Sequence, residues 1–440
     1  MLLACLRISV FVVLLMIAYQ VVLFSSTREI RTSNSSPFAA ITPIFFPIPK
    51  NIDRSELEKL LPPRAVLPSN IDSVRLTLNP AVHSWFVAEM QRALKRIDQN
   101  LPISALRDNS THMSAAINAV LIDGDSHVRV MYSNSSSTYF GIERLPLAST
   151  AKLFVAVALG EFDSPDSRYC NPGRFSGWLT IDAARPGPCS AKERTVRAAE
   201  AFAHSLPGPL LWRSNQVLSD AHLGNIFQKM GMLVEGHASL RNSAILGQVK
   251  GLPLELHRAA HLITLALADR HEEAKIPKIV DFFGVKDEGQ EQRHLPSHSA
   301  VMEESYKVAF SSGTLEYIRA VLRAPIRFGT LKELSVLERS SDNVRLLWGK
   351  TGTFAVKGET LLVWIVGGLI AQNKPYSWML LIKSQDPDRF LGNTNAAAFA
   401  SIVPLFVEAA MRDSRSDSSD EVRLSVEKGA EASTVGNDKK

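Results

Sequence analysis

The stretch that opens at Leu145, LPLASTAKLFVAVALGEF, constrains this chain more than any other. It sets Ser149 and Lys152 three positions apart and follows the lysine with Leu153, Phe154, Val155 and further apolar residues. Such a run reads as a buried helix, and an ammonium buried without a partner is costly. Lys152 must therefore snorkel to solvent along its own stem, find a partner, or give up its proton. Residues three apart share one face of a helix, so the amine would lie within reach of the serine hydroxyl. An amine desolvated enough to be neutral near pH 7 is the base that a weakly nucleophilic hydroxyl requires.

One S-x-x-K says little by itself, since a snorkelling lysine explains it equally well. Ser425 and Lys428, in SVEK, fit the same pattern inside a polar stretch where nothing would depress an amine pKa. A second motif separates the two. Lys350-Thr351-Gly352-Thr353 opens RLLWGKTGTFAVKGETLLVWIVGGL, which reads as two successive strands. K-T-G alone arises by chance in about one chain in ten of this length. Placed well downstream of an S-x-x-K that begins an apolar helix, it is far less accidental.

The two motifs together resemble the transpeptidase domain of penicillin-binding proteins, in which S-x-x-K and K-T-G serve acyl transfer. Three further stretches share the resemblance. TVRAAEAFAHSLPGPLL is similar to the helix leading into that family's S-x-N motif. FQKMGMLVEGHASLRNSAILGQVKGLPLELHRAAHLITLALA is similar to its Leu-Gly and Pro-Leu-Glu-Leu segment, and AVLRAPIRFGTLKEL to the Gly-Thr element before K-T-G. The likeness runs from about residue 110 to about residue 410. It implies a D,D-transpeptidase or serine β-lactamase fold, an α/β arrangement with an antiparallel sheet flanked by helices. It also implies roles. Ser149 is the nucleophile, Lys152 its base, and Lys350, Thr351 and Thr353 receive the substrate carboxylate. Gly352 lets the strand lie close to the substrate, and the backbone N–H groups of Ser149 and Thr353 form the oxyanion hole.

Two departures accompany the likeness. By register the middle motif falls on Ser205-Leu206-Pro207, which keeps the serine and replaces the asparagine with a residue that has no side-chain donor or acceptor. WRSNQVLSD offers Ser214, Asn215 and Gln216 instead; Ser205 is the preferred candidate and Ser214 its rival. Bifunctional members of the family also carry a glycosyltransferase domain, for which the stretch between Phe24 and Ala115 leaves no room.

Composition sets the remaining bounds. The 440 residues are 45% hydrophobic and 21% charged, enough for one large core, and a net charge of +5 without basic-aromatic clusters does not suggest a nucleic-acid binder. Ile8 to Phe24 is uncharged and flanked by Arg7, Arg28 and Arg31, at the lower length limit for a bilayer span. With no small-x-small site after it, it reads as a signal anchor rather than a cleaved peptide. The expected organisation is a membrane anchor over residues 1–30, a linker and helical segment over 31–110, the penicillin-binding domain over 111–411 and a disordered tail over 412–440. Within it, Ala81–Gln99 carries a helical apolar stripe, and AAINAVLIDGDSHVRVMYS reads as a hairpin around an Asp-Gly turn. Cys170 and Cys189 flank a Gly/Pro-rich loop and are either a disulfide or two separate thiols. The pairs His257/His261 and His294/His298 lack a Glu or Cys spaced for a metal, so core or surface histidines are expected, with no metal and no cofactor.

The leading expectation is thus a peptidoglycan D,D-transpeptidase, single-pass in the inner membrane with its catalytic domain in the periplasm. Its expected partners are stem peptides, β-lactams and other cell-wall synthesis proteins. The alternatives are a D,D-carboxypeptidase or β-lactamase on the same scaffold, and a non-catalytic β-lactam or peptidoglycan sensor, which Pro207 favours.

Overall fold

The structure is a computed structural model that describes residues 46–47, 71–100, 115–133, 143–171, 189, 194–234, 236–270, 280–285, 293–296, 309–339, 342–384, 391 and 396–416. The expected anchor and most of the linker lie outside these residues. Among the described residues no helix is long and apolar enough to cross a membrane.

In chain order, β1 (Phe46–Pro47) and β2 (Ile71–Leu76) precede helix α1 (Pro80–Asn100), and β3 (Ala115–Asp123) and β4 (Val128–Ser133) form a hairpin. A short β5 (Leu145–Pro146) and a 3-10 turn (Ala148–Ala151) lead into α2 (Lys152–Leu159). Next come β6 (Arg168–Asn171), β7 (Arg194–Arg197), α3 (Ala198–Ala203), α4 (Pro207–Val217), α5 (Asp220–Lys229), α6 (Leu240–Ile245), β8 (Lys250–Gly251) and α7 (Pro253–Leu267). After β9 (Val280–Val285) and β10 (Arg293–Pro296) follow α8 (Ser312–Arg327) and the long strands β11 (Val344–Val356), β12 (Glu359–Ala371) and β13 (Lys374–Ser384). A last helix, α9, covers residues 403–416.

The central sheet runs β11-β12-β13-β3-β4, antiparallel throughout. It is assembled from both ends of the domain, as the scatter of strands along the sequence leads one to expect. Side chains alternate across it, so each strand feeds two cores. From β13, Trp378, Leu380 and Ile382 pack with α1 and α9 on one face, where Phe86 and Phe406 lie 5.2 Å apart. Met379 and Leu381 enter the opposite core with the side chains of α2 and α7. Every residue of α2, and every residue of α7, is buried. That explains the uninterrupted apolar run after Ser149: the helix has no solvent face, so the 3.6-residue alternation of a surface helix is missing.

The structure corrects three expectations and adds detail to a fourth. Ser149 does not begin an α-helix; it sits in the 3-10 turn, and α2 starts at Lys152. In the β3–β4 hairpin, around the expected Asp-Gly turn, Ser126 takes the left-handed conformation at φ 66°. Gly124 is required by packing, because a Cβ there would meet Pro375 at 2.9 Å. The disordered tail is expected to begin at residue 412, but α9 continues to residue 416. Asp413 is fully buried there and accepts from Arg129 Nε at 2.9 Å and from Asn79 Nδ2 at 2.9 Å, which explains why so polar a sequence stays helical. Finally, the linker holds structure of its own. Phe46–Pro47 pairs with β2, and β2 with β9, in a four-stranded sheet β1-β2-β9-β10.

Cys170 and Cys189 form a disulfide. Its anchor strand β6 pairs with β7, so the covalent loop closes beside a two-stranded ladder.

Candidate active site

The 3-10 turn aims Ser149 back along the axis of α2. Lys152 Nζ lies 2.8 Å from Ser149 Oγ, while Ser149 keeps partial access to solvent and Lys152 is 2% exposed. No carboxylate faces Lys152 among the described residues, and burial pushes its amine down to about 7. The base and the hydroxyl it would serve are thus in contact.

β11 is the edge strand of the sheet, and it brings the second motif against the same turn. Gly352 is close-packed there: a Cβ would meet Leu147 O, Thr150 Cγ2 and Thr150 N, each at 3.1 Å. The absent side chain at Gly352 makes room for the serine turn itself. Lys350, two residues earlier and on the same side of the strand, is completely buried. Its Nζ donates to Thr351 O at 2.9 Å and to Ser205 Oγ at 3.2 Å. Burial, and secondarily the charge of Lys152, hold its amine well below the usual lysine range.

Alternation along β11 sends Thr351 the other way. Its hydroxyl is 3.0 Å from that of Thr330 and the residue is buried, so the expected role in receiving a carboxylate is not what this geometry offers. Thr353 is partly exposed, and its Oγ1 accepts from Ala396 N at 3.3 Å.

Ser205 reaches the site by an unusual backbone. It follows α3 with φ 55°, a left-handed conformation that side chains seldom adopt, and its amide donates to Phe202 O at 3.2 Å. Pro207 is the first residue of α4, where a missing N–H is harmless and a fixed φ is favourable. The proline that replaces the expected asparagine therefore has a local structural reason. Ser214, the rival candidate, is fully buried on α4, and its hydroxyl has no partner among the described residues. The structure brings Ser205, not Ser214, to Lys350.

Thr330 is a residue of this region that sequence reasoning assigned no role. Its amide donates to Ala203 O at 3.3 Å while its hydroxyl meets Thr351, tying the Ser205 loop to β11. Its signal was the Gly-Thr pair, noted only as part of a likeness.

Of the four histidines expected to be core or surface residues, His257 and His261 lie in the core. His257 and His261 are buried and both meet Ser377 Oγ, at 3.2 and 3.0 Å. The side chains of His294 and His298 lie outside the described residues. Asp123, Asp125 and His127 have ligand atoms within 4.8 Å of one another in the β3–β4 turn. Asp123 Oδ1, however, already accepts from the amides of Asp125 and His127, and Oδ2 is 3.7 Å from Arg129.

No family model matches the sequence, and no curated relative is detected from it. Solved structures do match. One is a component of a peptidoglycan synthase complex that coordinates polymerization and crosslinking, at TM-score 0.51 and 16% identity; the match covers 77% of this chain and 62% of that one. Another is the penicillin-binding protein PonA1 of Mycobacterium tuberculosis, at TM-score 0.51 and 15% identity, covering 77% and 85%. A third is PBPA of Mycobacterium tuberculosis, at TM-score 0.51 and 16% identity, covering 78% and 81%. The fold is that of penicillin-binding protein transpeptidase domains. This chain spans less than two thirds of the peptidoglycan synthase component it matches.

Proposed function

We propose that this chain is an acyl-serine enzyme of peptidoglycan metabolism, a D,D-transpeptidase that β-lactams acylate. The observation that carries the reading is the buried Lys152 amine held 2.8 Å from the Ser149 hydroxyl. Ser149 Oγ attacks the carbonyl of the penultimate D-alanine in a stem peptide as Lys152 takes its proton. The tetrahedral oxyanion forms against backbone N–H groups, of which that of Ser149 is one. Ser205, bonded to Lys350, passes a proton to the departing amine, and the terminal D-alanine leaves with it. Lys350 and Thr353 receive the substrate carboxylate. An amine from a neighbouring stem peptide then attacks the acyl-enzyme and restores the Ser149 hydroxyl. In this reading the segment Ile8–Phe24 anchors the chain in the inner membrane with the domain on its outer side, among other cell-wall synthesis proteins.

Pro207 favours a second reading, a β-lactam or peptidoglycan sensor that acylates slowly, because no amide side chain follows Ser205. One experiment separates these. The full chain in detergent is incubated with a fluorescent penicillin, and label is followed over time and mapped by peptide mass. Stable label on Ser149, with transfer of a stem peptide to an added amine, supports the transpeptidase. Stable label without transfer supports the sensor, and rapid loss of label a hydrolase. Absence of label on Ser149 overturns acyl-serine chemistry.

A further inference from the structure

The Leu-Gly and Pro-Leu-Glu-Leu segment has no part in the chemistry above, yet it is wrapped around the nucleophile. Ala148, immediately before Ser149, has φ 50°, is buried, and is not a glycine. A side-chain-bearing residue stays in that region only where its surroundings over-determine it. The surroundings are the backbone from Gly247 to Gly251. Leu147 N donates to Val249 O at 2.8 Å, and Ala148 N donates to Gly247 O at 3.1 Å. β5 and β8 continue the ladder, pairing Leu145 with Gly251 and Pro146 with Lys250.

Gly247 cannot be replaced without moving this turn. Its own φ is 76°, and a Cβ on it would lie 2.6 Å from the carbonyl carbon of Ala148 and 2.7 Å from its Cα. Those are backbone atoms one and two bonds from Ser149 N, so no side-chain rotation relieves the contact. Behind the ladder stands an ion pair. Arg144 NH2 lies 3.1 Å from Glu255 Oε2 and donates to Lys250 O at 3.2 Å. Glu255 Oε2 also accepts from Leu252 N at 3.0 Å, closing the first turn of α7. From the opposite side Trp364 Nε1 donates to Pro146 O at 2.9 Å.

We infer that Gly247 is a positioning residue for acyl transfer: by admitting Ala148 in its left-handed conformation and accepting its amide it sets the direction of the Ser149 hydroxyl and amide, and the Arg144–Glu255 pair braces the ladder at Lys250 and Leu252. The inference rests on Ser149 being the nucleophile. Neither Gly247 nor Glu255 touches the reacting atoms.

The test resolves acylation of the full chain by fluorescent penicillin into a half-saturating concentration and a maximal rate, with the labelled fraction measured separately. Gly247→Ala is expected to lower the maximal rate about 10- to 100-fold, the effect of misplacing a reacting group by an ångström or less. The half-saturating concentration should stay within about twofold, because Lys350 and Thr353 are undisturbed. A merely structural role would reduce the labelled fraction and leave the rate of the folded remainder unchanged. Glu255→Gln keeps the contact with Leu252 N and loses the charge facing Arg144; it should slow the same rate several-fold. Should Gly247→Ala not fold, Glu255→Gln decides alone. Maximal rates equal to wild type, with Ser149 labelled normally, overturn this inference and spare the proposed function. No label on wild-type Ser149 overturns both.

Discussion

The Lys350 amine and the Ser205 hydroxyl are 3.2 Å apart across 145 positions of sequence. This contact brings Ser205, and not Ser214, to Lys350. Ser205→Ala is expected to slow penicillin acylation about 100-fold, a usual loss for one proton-transfer group. Ser214→Ala should leave the acylation rate unchanged. It removes a buried hydroxyl that has no partner among the described residues, so it should also raise the melting temperature, by about 1 kcal/mol of stability. Stopped-flow acylation and thermal melts of the two variants check this. A collapse in Ser214→Ala alone would refute the assignment.

Acylation should depend on pH through Lys152. Burial lowers that amine to about 7, and only its neutral form accepts the Ser149 proton. The second-order rate should therefore rise as pH increases through about 7, and fall about tenfold for each unit below. Rates measured from pH 5 to pH 10 test this, and a flat profile through neutrality removes Lys152 as the base.

The disulfide closes a sequence separation of 19 residues. The chain-entropy model makes such a loop worth about 3 kcal/mol. Cys170→Ser/Cys189→Ser should melt at lower temperature, and native protein should expose neither thiol to alkylation before reduction. Two reactive thiols in folded protein would contradict the bridge.

Acid should destabilise the domain through its buried histidines. Burial, with their mutual repulsion, lowers His257 to about 3, and burial lowers His261 to about 4. Both values are below the 6.5 of an unfolded chain, so the unfolded state binds more protons as pH falls from about 6.5 to about 4. Stability is present above that window and is lost on descending through it, by an amount on the order of a few kcal/mol. His83, lowered by burial to about 4, adds in the same direction. Melting temperatures recorded from pH 7.5 to pH 4 should fall most steeply inside the window. A curve that holds level there would sink the explanation.

Much of this was legible in sequence because it is local. The apolar stripe of Ala81–Gln99 became α1, the DGDS turn joined two strands, and the motifs at Ser149 and Lys350 stand on neighbouring elements. What stayed hidden is set by tertiary contact. No spacing rule places Ser205 beside Lys350, or tells it from Ser214, since the difference is a left-handed residue in one loop and burial in the other. Thr351 was given a substrate role from its motif alone, but the pleat of β11 turns it towards Thr330. The helix through residue 416 was invisible because its warrant is a single buried carboxylate, Asp413, whose partners Asn79 and Arg129 come from the start of the domain.

The order of the central sheet has a temporal consequence. β3 lies between β4 and β13, with Ala115 opposite Ser384 and Asp123 opposite Tyr376. A chain made from its N-terminus forms the β3–β4 hairpin early, then must carry one of its edges unpaired until the last long strand has been synthesised. Through that interval a nine-residue strand, all of it destined for burial, stays open to any other strand it meets. Pairings of such sequence separation are slow to close, and chains with large unpaired edges are those that aggregate. The interval before β13 is complete is therefore the one in which this fold is most exposed to loss.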